Sequence, residues 1–191
     1  MSRGRLEAFS DGVIAIIITI MVLGLAPPRG AELAALLPLL PIFLSYALSF
    51  VFVGIYWNNH HHLLQAAKKV NGQVLWANLH FLFWLSLVPF ATAWMGANGL
   101  AAWPLALYGV VLLGAGFAYF LLSQALIGLH GKESVLAIAV GDDRKGIISL
   151  VAYLVAISLA FFDGRISGVL YILVAVMWLI PDQRIEKQMK E

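Results

Sequence analysis

The sequence predicts an all-α membrane protein with six transmembrane helices per subunit. Of its 191 residues, 62% are hydrophobic and only 12% are charged, about half the charged share of an ordinary soluble domain. The apolar residues gather into six runs, several of them near the ~20 residues that a helix needs to cross a bilayer. Basic residues are concentrated in every second connection between these runs. Together these observations indicate a multi-span helical bundle.

The six predicted spans form a single domain over residues 1–191. Pro27 and Pro28 end the first span, because proline does not readily continue a helix. A short interfacial helix is expected at about 31–37, and Pro89 predicts a tolerated kink inside the third span. A tight turn at 163–165 joins the last two spans into a hairpin. The spans are expected at about 6–25, 38–58, 74–94, 103–126, 146–162 and 166–180.

The distribution of basic residues predicts the orientation of the bundle. Six spans place ten of the twelve Lys and Arg residues on one side, and leave only Arg29 and Arg165 on the other. Basic residues favour the cytoplasmic side of a membrane protein. We therefore expect a multi-pass protein of the cell (inner) membrane with both termini in the cytoplasm.

Composition also excludes several classes of function. The chain has no cysteine, so disulfides and thiolate metal sites are excluded. A net charge of +2, spread over the chain, gives no reason to expect a nucleic-acid partner. We find no Gly-rich phosphate loop, no Ser-His-Asp arrangement and no paired catalytic carboxylates. The sequence therefore predicts neither an enzyme nor a bound cofactor.

The first span carries a carboxylate at one end and a stripe of aliphatic side chains. At about 100° per residue, Ile16, Ile20 and Leu23 share one helical face, with Thr19 at its edge. Asp11 points roughly 140° away from Ile16 on the same arithmetic. A charge at the mouth of a membrane helix is costly and marks a candidate functional site. The alternative is an ordinary membrane helix whose stripe packs against its neighbours.

Polar residues near the same end of the second and third spans are candidate partners for Asp11. Ser10, Trp57, Asn78 and either His60 or His61 lie at a suitable depth. Buried polar groups in membrane proteins usually form hydrogen bonds between helices. Alternatively, Asn78 and His80 are unrelated packing groups. The consecutive histidines 60–62 make a poor metal site, because adjacent helical side chains diverge by about 100°.

The stretch with Arg5, Phe9, Ser10 and Asp11 resembles the R-x-x-x-F-S-D signature of the transmembrane protein 175 family, the lysosomal and bacterial potassium channels. The match continues through residues 12–23. The resemblance implies a homotetramer in a lipid bilayer, with the first helix of each subunit lining a pore. It also implies that Trp57 and His60, at W-x-x-H spacing, hold the signature helix in place. Eukaryotic members carry two six-span repeats per chain, and this chain corresponds to one.

The resemblance gives the aliphatic stripe a function. In the implied tetramer, Ile16, Ile20 and Leu23 form stacked rings over about 10 Å, with the Thr19 hydroxyl beside them. An aliphatic constriction discriminates among monovalent cations by the cost of dehydration, so modest selectivity for K⁺ over Na⁺ is expected. The main alternative is a proton-coupled secondary transporter or proton pathway that uses Asp11 and the histidines.

Overall fold

The computed structural model describes residues 2–131, 133–141 and 143–179, and the bulk of this part is helical. A 3₁₀ helix, Leu33–Leu39, precedes the second α-helix. The α-helices are α1 (Arg3–Val22), α2 (Leu40–Ala66), α3 (Gly72–Ser86), α4 (Val88–Asn98), α5 (Ala102–His130), α6 (Val135–Val140), α7 (Arg144–Leu159) and α8 (Gly164–Leu179).

Three helical segments within the described residues are long and apolar enough to cross a membrane. They are residues 33–66, 72–98 and 102–130, and α8 is a shorter apolar helix. α1 has 20 residues but includes Arg3, Arg5, Glu7 and Asp11. The all-helical fold is thus confirmed, whereas the count of six spans stays a prediction.

Three departures of the helices from the predicted spans are informative. α2 continues through the histidines to Ala66, well beyond the predicted end at residue 58. The third predicted span is divided into α3 and α4 at Leu87, two residues before Pro89, which has no N–H to donate to the preceding turn. The short helix α6 lies in a segment that we expected to be a loop, and the Ser134 side chain caps its first turn.

α5 is the helix around which much of the core is arranged, and it packs against α3, α4, α7 and α8. Two of its glycines allow this close approach. A Cβ on Gly114 would overlap the indole ring of Trp84, and one on Gly109 would overlap the phenol of Tyr171. Small residues at such positions let membrane helices come into direct contact.

α1 packs against α2, α3 and α4 through one face only. The buried residues of α1 recur at intervals of three and four, which is the spacing of a single helical stripe: Leu6, Ser10, Ile14, Ile17 and Met21. The opposite face of α1 is left uncovered by the subunit. The bundle therefore buries one face of α1 and leaves the opposite face exposed on the surface of the subunit.

Candidate ion pathway and its polar clamp

The predicted aliphatic stripe lies on the uncovered face of α1, where Leu23, the C-cap residue, continues the face of Ile16 and Ile20. Ile16 is 58% exposed, Ile20 48% and Leu23 80%. By contrast Ile14 and Ile17, which flank Ile16, are buried against the rest of the subunit. Packing within the subunit therefore does not account for the stripe. It must meet lipid, another subunit or an aqueous path.

Thr19 lies beside this stripe and is also exposed. Its hydroxyl donates to the backbone carbonyl of Ile16 over 2.9 Å, the common back-bond of a helical threonine. The proton of the hydroxyl is therefore used within the helix. This bond does not use the lone pairs of the hydroxyl oxygen.

Asp11 is held by the neighbouring helix α2. The indole Nε1 of Trp57 donates to Oδ1 of Asp11 over 3.0 Å. Trp57 in turn stacks on His61, with ring centroids 5.9 Å apart and planes 24° from parallel. A charged acceptor strengthens such a bond, so this contact holds the N-terminal half of α1 against α2.

The contact between α1 and α2 through Asp11 and Trp57 is part of a set of polar contacts that we call the polar clamp. His61 adds to it a second acidic residue of α1. Its Nδ1 lies 3.2 Å from Oε1 of Glu7, and its Nε2 lies 2.8 Å from the side-chain nitrogen of Gln65. An amide nitrogen can only donate, so Nε2 of His61 accepts and Nδ1 carries the proton toward Glu7. Two carboxylates of α1 thus face donors on α2.

A second, fully buried arrangement joins α1, α2 and α3. The Asn78 side-chain nitrogen donates to the Ser10 hydroxyl oxygen over 2.9 Å, and Nε2 of His60 lies 2.8 Å from Oδ1 of Asn78. The Ser10 hydroxyl in turn donates a hydrogen bond to the backbone carbonyl of Leu6 over 2.9 Å. The side-chain amide of Asn78 fixes which groups donate and which accept in this series of hydrogen bonds, since its oxygen can only accept. His60 is therefore the donor at Nε2, and the ring stacks on Phe81.

The structure divides the predicted polar residues between these two arrangements. The prediction that Asp11 bonds to Ser10 is wrong, because the Ser10 hydroxyl points to the Leu6 carbonyl instead. Arg5 and Phe9, the outer members of the signature, are both exposed. Among the described residues the guanidinium group of Arg5 makes no hydrogen bond to α2 or α3. Their functions stay predictions.

Arg3 is a clamp residue that the sequence analysis missed. Its Nη1 donates to the carbonyls of Gln65 and Ala67, each over 3.1 Å. These carbonyls lie at the C-terminal end of α2, where a helix leaves acceptors without intrahelical partners. A basic residue at the start of one membrane helix is a weak signal for this contact, since many such residues only face headgroups.

Histidines 60–62 do not converge on a common point. The ring of His60 is buried toward Asn78, His61 faces Glu7, and Nδ1 of both His60 and His62 is buried without a partner. In the part of the chain that the structure describes, no three His, Asp or Glu side chains are grouped as metal ligands.

The fold and this site define an integral membrane protein whose first helix combines a polar clamp with an uncovered aliphatic face. The family model described as the endosomal/lysosomal potassium channel TMEM175 matches residues 5–89, which include α2, α3 and all but the first two residues of α1. A potassium channel of Chryseobacterium sp. (strain P1-3) is 54% identical over 191 residues, covering 100% of both chains. The chain belongs to the TMEM175 family, a family of ion channels and not of enzymes, as its signature predicted.

Two further relatives place the chain within that family. The crystal structure of a lysosomal potassium-selective channel TMEM175 homolog from Chamaesiphon minutus superposes with a TM-score of 0.79 at 26% identity, covering 93% of this chain and 96% of that one. The human endosomal/lysosomal proton channel TMEM175 is 33% identical over 103 residues, which cover 48% of this chain and 20% of the human protein. The likeness to the human protein is therefore confined to a fraction of its length.

Proposed function

We propose that this protein is a potassium-permeable cation channel, a homotetramer whose pore is lined by α1. The observation that carries the proposal is the aliphatic stripe of Ile16, Ile20 and Leu23, which the subunit itself leaves uncovered. Four copies of such a face around an axis give stacked aliphatic rings over about 10 Å of pore. A relative that matches over the whole chain and is named a potassium channel supports the same assignment.

The chemistry of the stripe determines what kind of filter it forms. Isoleucine and leucine side chains offer no oxygen to replace the water around an ion, so every cation crosses at a dehydration cost. That cost is smaller for K⁺ than for the more strongly hydrated Na⁺. The exposed oxygen of Thr19 is the one side-chain ligand beside the stripe on α1. The selectivity for K⁺ over Na⁺ should therefore be real but modest.

In the proposed topology, each subunit crosses the cell (inner) membrane six times and has both termini in the cytoplasm. The ten-to-two division of basic residues supports it. A tag at either terminus should be cleaved by protease in inside-out vesicles and protected in right-side-out vesicles. Cleavage in right-side-out vesicles would refute the orientation.

Flux through the purified protein tests the channel assignment. Liposomes loaded with K⁺ and carrying the protein should release it at rates far above those of a carrier, and Na⁺-loaded liposomes should release their ion more slowly. Crosslinking in detergent should yield a tetramer. A flux that saturates at the turnover of a carrier, or that requires a counter-transported proton, would favour a transporter.

A proton pathway is the second candidate function. The observation that favours it is the group of Asp11, Glu7 and His61 at one end of α1, and the human relative is named a proton channel. A pH-sensitive dye inside the same liposomes reports proton entry when no other permeant cation is present. Proton entry that Asp11→Asn abolishes while K⁺ flux persists would assign the proton path to this clamp.

A further inference from the structure

A partly open apolar cavity of about 200 Å³ lies between α2, α5, α7 and α8. Phe117 and Ile147 mark its opening, since they line the cavity and are 47% and 60% exposed. No residue of α1 lines this space, so it is separate from the candidate ion path. Nearly half of the lining residues are aromatic, among them Phe52, Tyr56, Phe120, Tyr153 and Trp178.

The hydroxyl groups of the wall are used within the protein. Those of Tyr56 and Tyr119 each donate to a backbone carbonyl of a neighbouring helix over 3.2 Å. The Ser149 hydroxyl donates to a carbonyl of its own helix and accepts from the indole Nε1 of Trp178, each over 2.8 Å. A buried water needs two to four polar partners, whereas an apolar cavity of about 150 Å³ stays dry and binds benzene. The body of the cavity therefore suits an apolar occupant better than water.

Volume and wall chemistry limit what this occupant can be. About 200 Å³ is somewhat more than the space that accepts benzene, so one ring or two fused rings fit and a long hydrocarbon chain does not. The rings of Tyr56 and Tyr119 have centroids 6.5 Å apart and planes inclined by 54°, so they present both edges and faces. Edge-to-face and offset ring pairs are stabilised beyond the burial of their area. The walls therefore favour an aromatic occupant.

The charged groups at one end of the cavity are already engaged. Asp143 lines this end, and its Oδ1 accepts from the N–H of Gly146 over 2.9 Å as the cap of α7. Arg144 and Lys145 follow it, and both have interactions within the protein. A charged ligand would lose its hydration in the apolar space without meeting a free group of opposite charge. A neutral ligand avoids that cost.

We propose that this cavity binds one small neutral aromatic molecule of one or two fused rings, the class to which indole belongs. The occupant enters between Phe117 and Ile147 and packs against the rings of α2, α5, α7 and α8. The proposal does not rest on ion conduction, because the site shares no residue with the aliphatic stripe of α1.

A titration of the purified full-length protein in detergent with 5-fluoroindole, followed by ¹⁹F NMR, tests the site. Empty micelles of the same detergent give the contribution of partitioning. Beyond that contribution, the protein should show saturable binding of one ligand per subunit. The dissociation constant should be roughly 0.1–1 mM, as expected of so small a ligand. A signal that only follows the empty micelles would overturn the proposal.

A substitution that fills the cavity locates the bound ligand. A Cβ on Gly116 would lie 3.2 Å from a methyl group of Leu150 and 3.4 Å from the Tyr56 hydroxyl, so Gly116→Leu projects into the space. Binding should weaken about tenfold. Gly128→Leu is the matched control on the same helix, with open space around the position of a Cβ, and should bind like the wild type.

A substitution at the opening keeps the test decisive if Gly116→Leu does not fold. Ile147→Trp places a larger side chain at an exposed position of the opening and should also weaken binding about tenfold. Ile148→Trp is its control, because Ile148 is 54% exposed and does not line the cavity. Binding by Ile147→Trp that equals binding by Ile148→Trp and by the wild type would overturn the proposal.

Competition against 5-fluoroindole tests the class of ligand. Indole should displace the probe, whereas indole-3-carboxylate and protonated indole-3-methylamine should be about tenfold weaker competitors. Pyrene, a larger fused-ring molecule, should not compete. Displacement by either charged analogue or by pyrene that equals displacement by indole would overturn the assignment to a small neutral aromatic ligand.

Discussion

The indole nitrogen of Trp57 donates to the carboxylate of Asp11 over 3.0 Å and so joins α2 to α1. Asp11 and Ile16 point in directions about 140° apart on a helix. Holding Asp11 against α2 therefore fixes the rotation of α1 about its own axis, and this rotation turns Ile16 away from the subunit. One rotational orientation of α1 therefore accounts both for the contact of Asp11 with α2 and for the exposure of the aliphatic stripe.

Removing the donor should loosen α1 without changing the filter. Trp57→Phe keeps a ring to stack on His61 but leaves the carboxylate of Asp11 without its partner. We expect a loss of stability of about 1 kcal/mol, seen as a lower melting temperature of the assembly in detergent, with the K⁺/Na⁺ ratio unchanged. Trp76→Phe, a change at an exposed tryptophan of α3, is the control and should leave the melting temperature unaltered. A changed K⁺/Na⁺ ratio with unchanged stability would place Asp11 in the ion path.

The buried arrangement around Asn78 should be costlier to disturb. Asn78→Leu leaves the buried Nε2–H of His60 without an acceptor and removes the donor to Ser10, whose hydroxyl keeps its bond to the Leu6 carbonyl. An orphaned buried donor costs about 1–3 kcal/mol, so this variant should lose more stability than Trp57→Phe. Asn98→Leu is the matched change at an exposed amide that bonds only to its own helix. Similar melting temperatures for the two leucine variants would mean that the Asn78 network contributes little.

Much of the architecture could be predicted because hydropathy identifies apolar runs well. The ends of helices could not, since α1 begins at Arg3 and α2 extends through His60 to Ala66. Polar residues at a membrane surface are equally compatible with a helix and with a loop, so hydropathy leaves the polar ends of these two helices out of the predicted spans. Pro89, whose missing N–H is a local property, predicted only a kink in the third span, whereas the structure divides that span at Leu87.

The sequence predicted which residues form the polar site better than it predicted which of them form hydrogen bonds with each other. Depth along a helix selected Ser10, Trp57, Asn78 and either His60 or His61 as partners for Asp11. It could not say that Asp11 turns to Trp57 while Ser10 joins Asn78, because that choice depends on how α1 is rotated against two other helices. Arg3 was missed for a related reason: its acceptors are backbone carbonyls, which leave no trace in side-chain identity.

The packing of α5 gives a prediction with an internal control. Gly114→Ala would push a methyl group into the indole ring of Trp84, and overpacking of this kind typically costs about 1–3 kcal/mol. Gly128 is on the same helix with open space around the position of a Cβ. Gly128→Ala should therefore be neutral or stabilising by up to about 1 kcal/mol. Thermal unfolding in detergent should separate the two variants, and a harmless Gly114→Ala would show that α3 can move away from α5.

His130 should fasten the turn between α2 and α3. Its Nε2 accepts from the backbone N–H groups of Lys68 and Lys69 over 2.9 and 3.2 Å, while Nδ1 donates to the Leu126 carbonyl over 2.9 Å. His130→Ala should therefore speed amide hydrogen exchange at residues 68 and 69 several-fold. Gln124→Ala, at an exposed position on the same helix, should not. Unchanged exchange in His130→Ala would mean that the turn is held by other contacts.

Two neighbouring isoleucines of α1 decide whether the stripe lines a pore. Ile16 is largely exposed and Ile17 is buried against the subunit. Ile16→Asn should leave a folded tetramer, because the new amide meets no packed core. If Ile16 faces the pore, the amide lowers the dehydration cost for every cation, so conductance should rise and discrimination against Na⁺ should fall.

Ile17→Asn supplies the contrast, since it places an amide in the core and should cost stability with no specific effect on ion preference. Single-channel recording and liposome flux on both purified variants measure conductance and the K⁺/Na⁺ ratio, and size exclusion reports assembly. Ile20→Asn should repeat the effect of Ile16→Asn one helical turn further along the stripe. A folded Ile16→Asn tetramer with unaltered conductance and ion preference would remove this face of α1 from the pore and leave lipid or a neighbouring subunit as its contact.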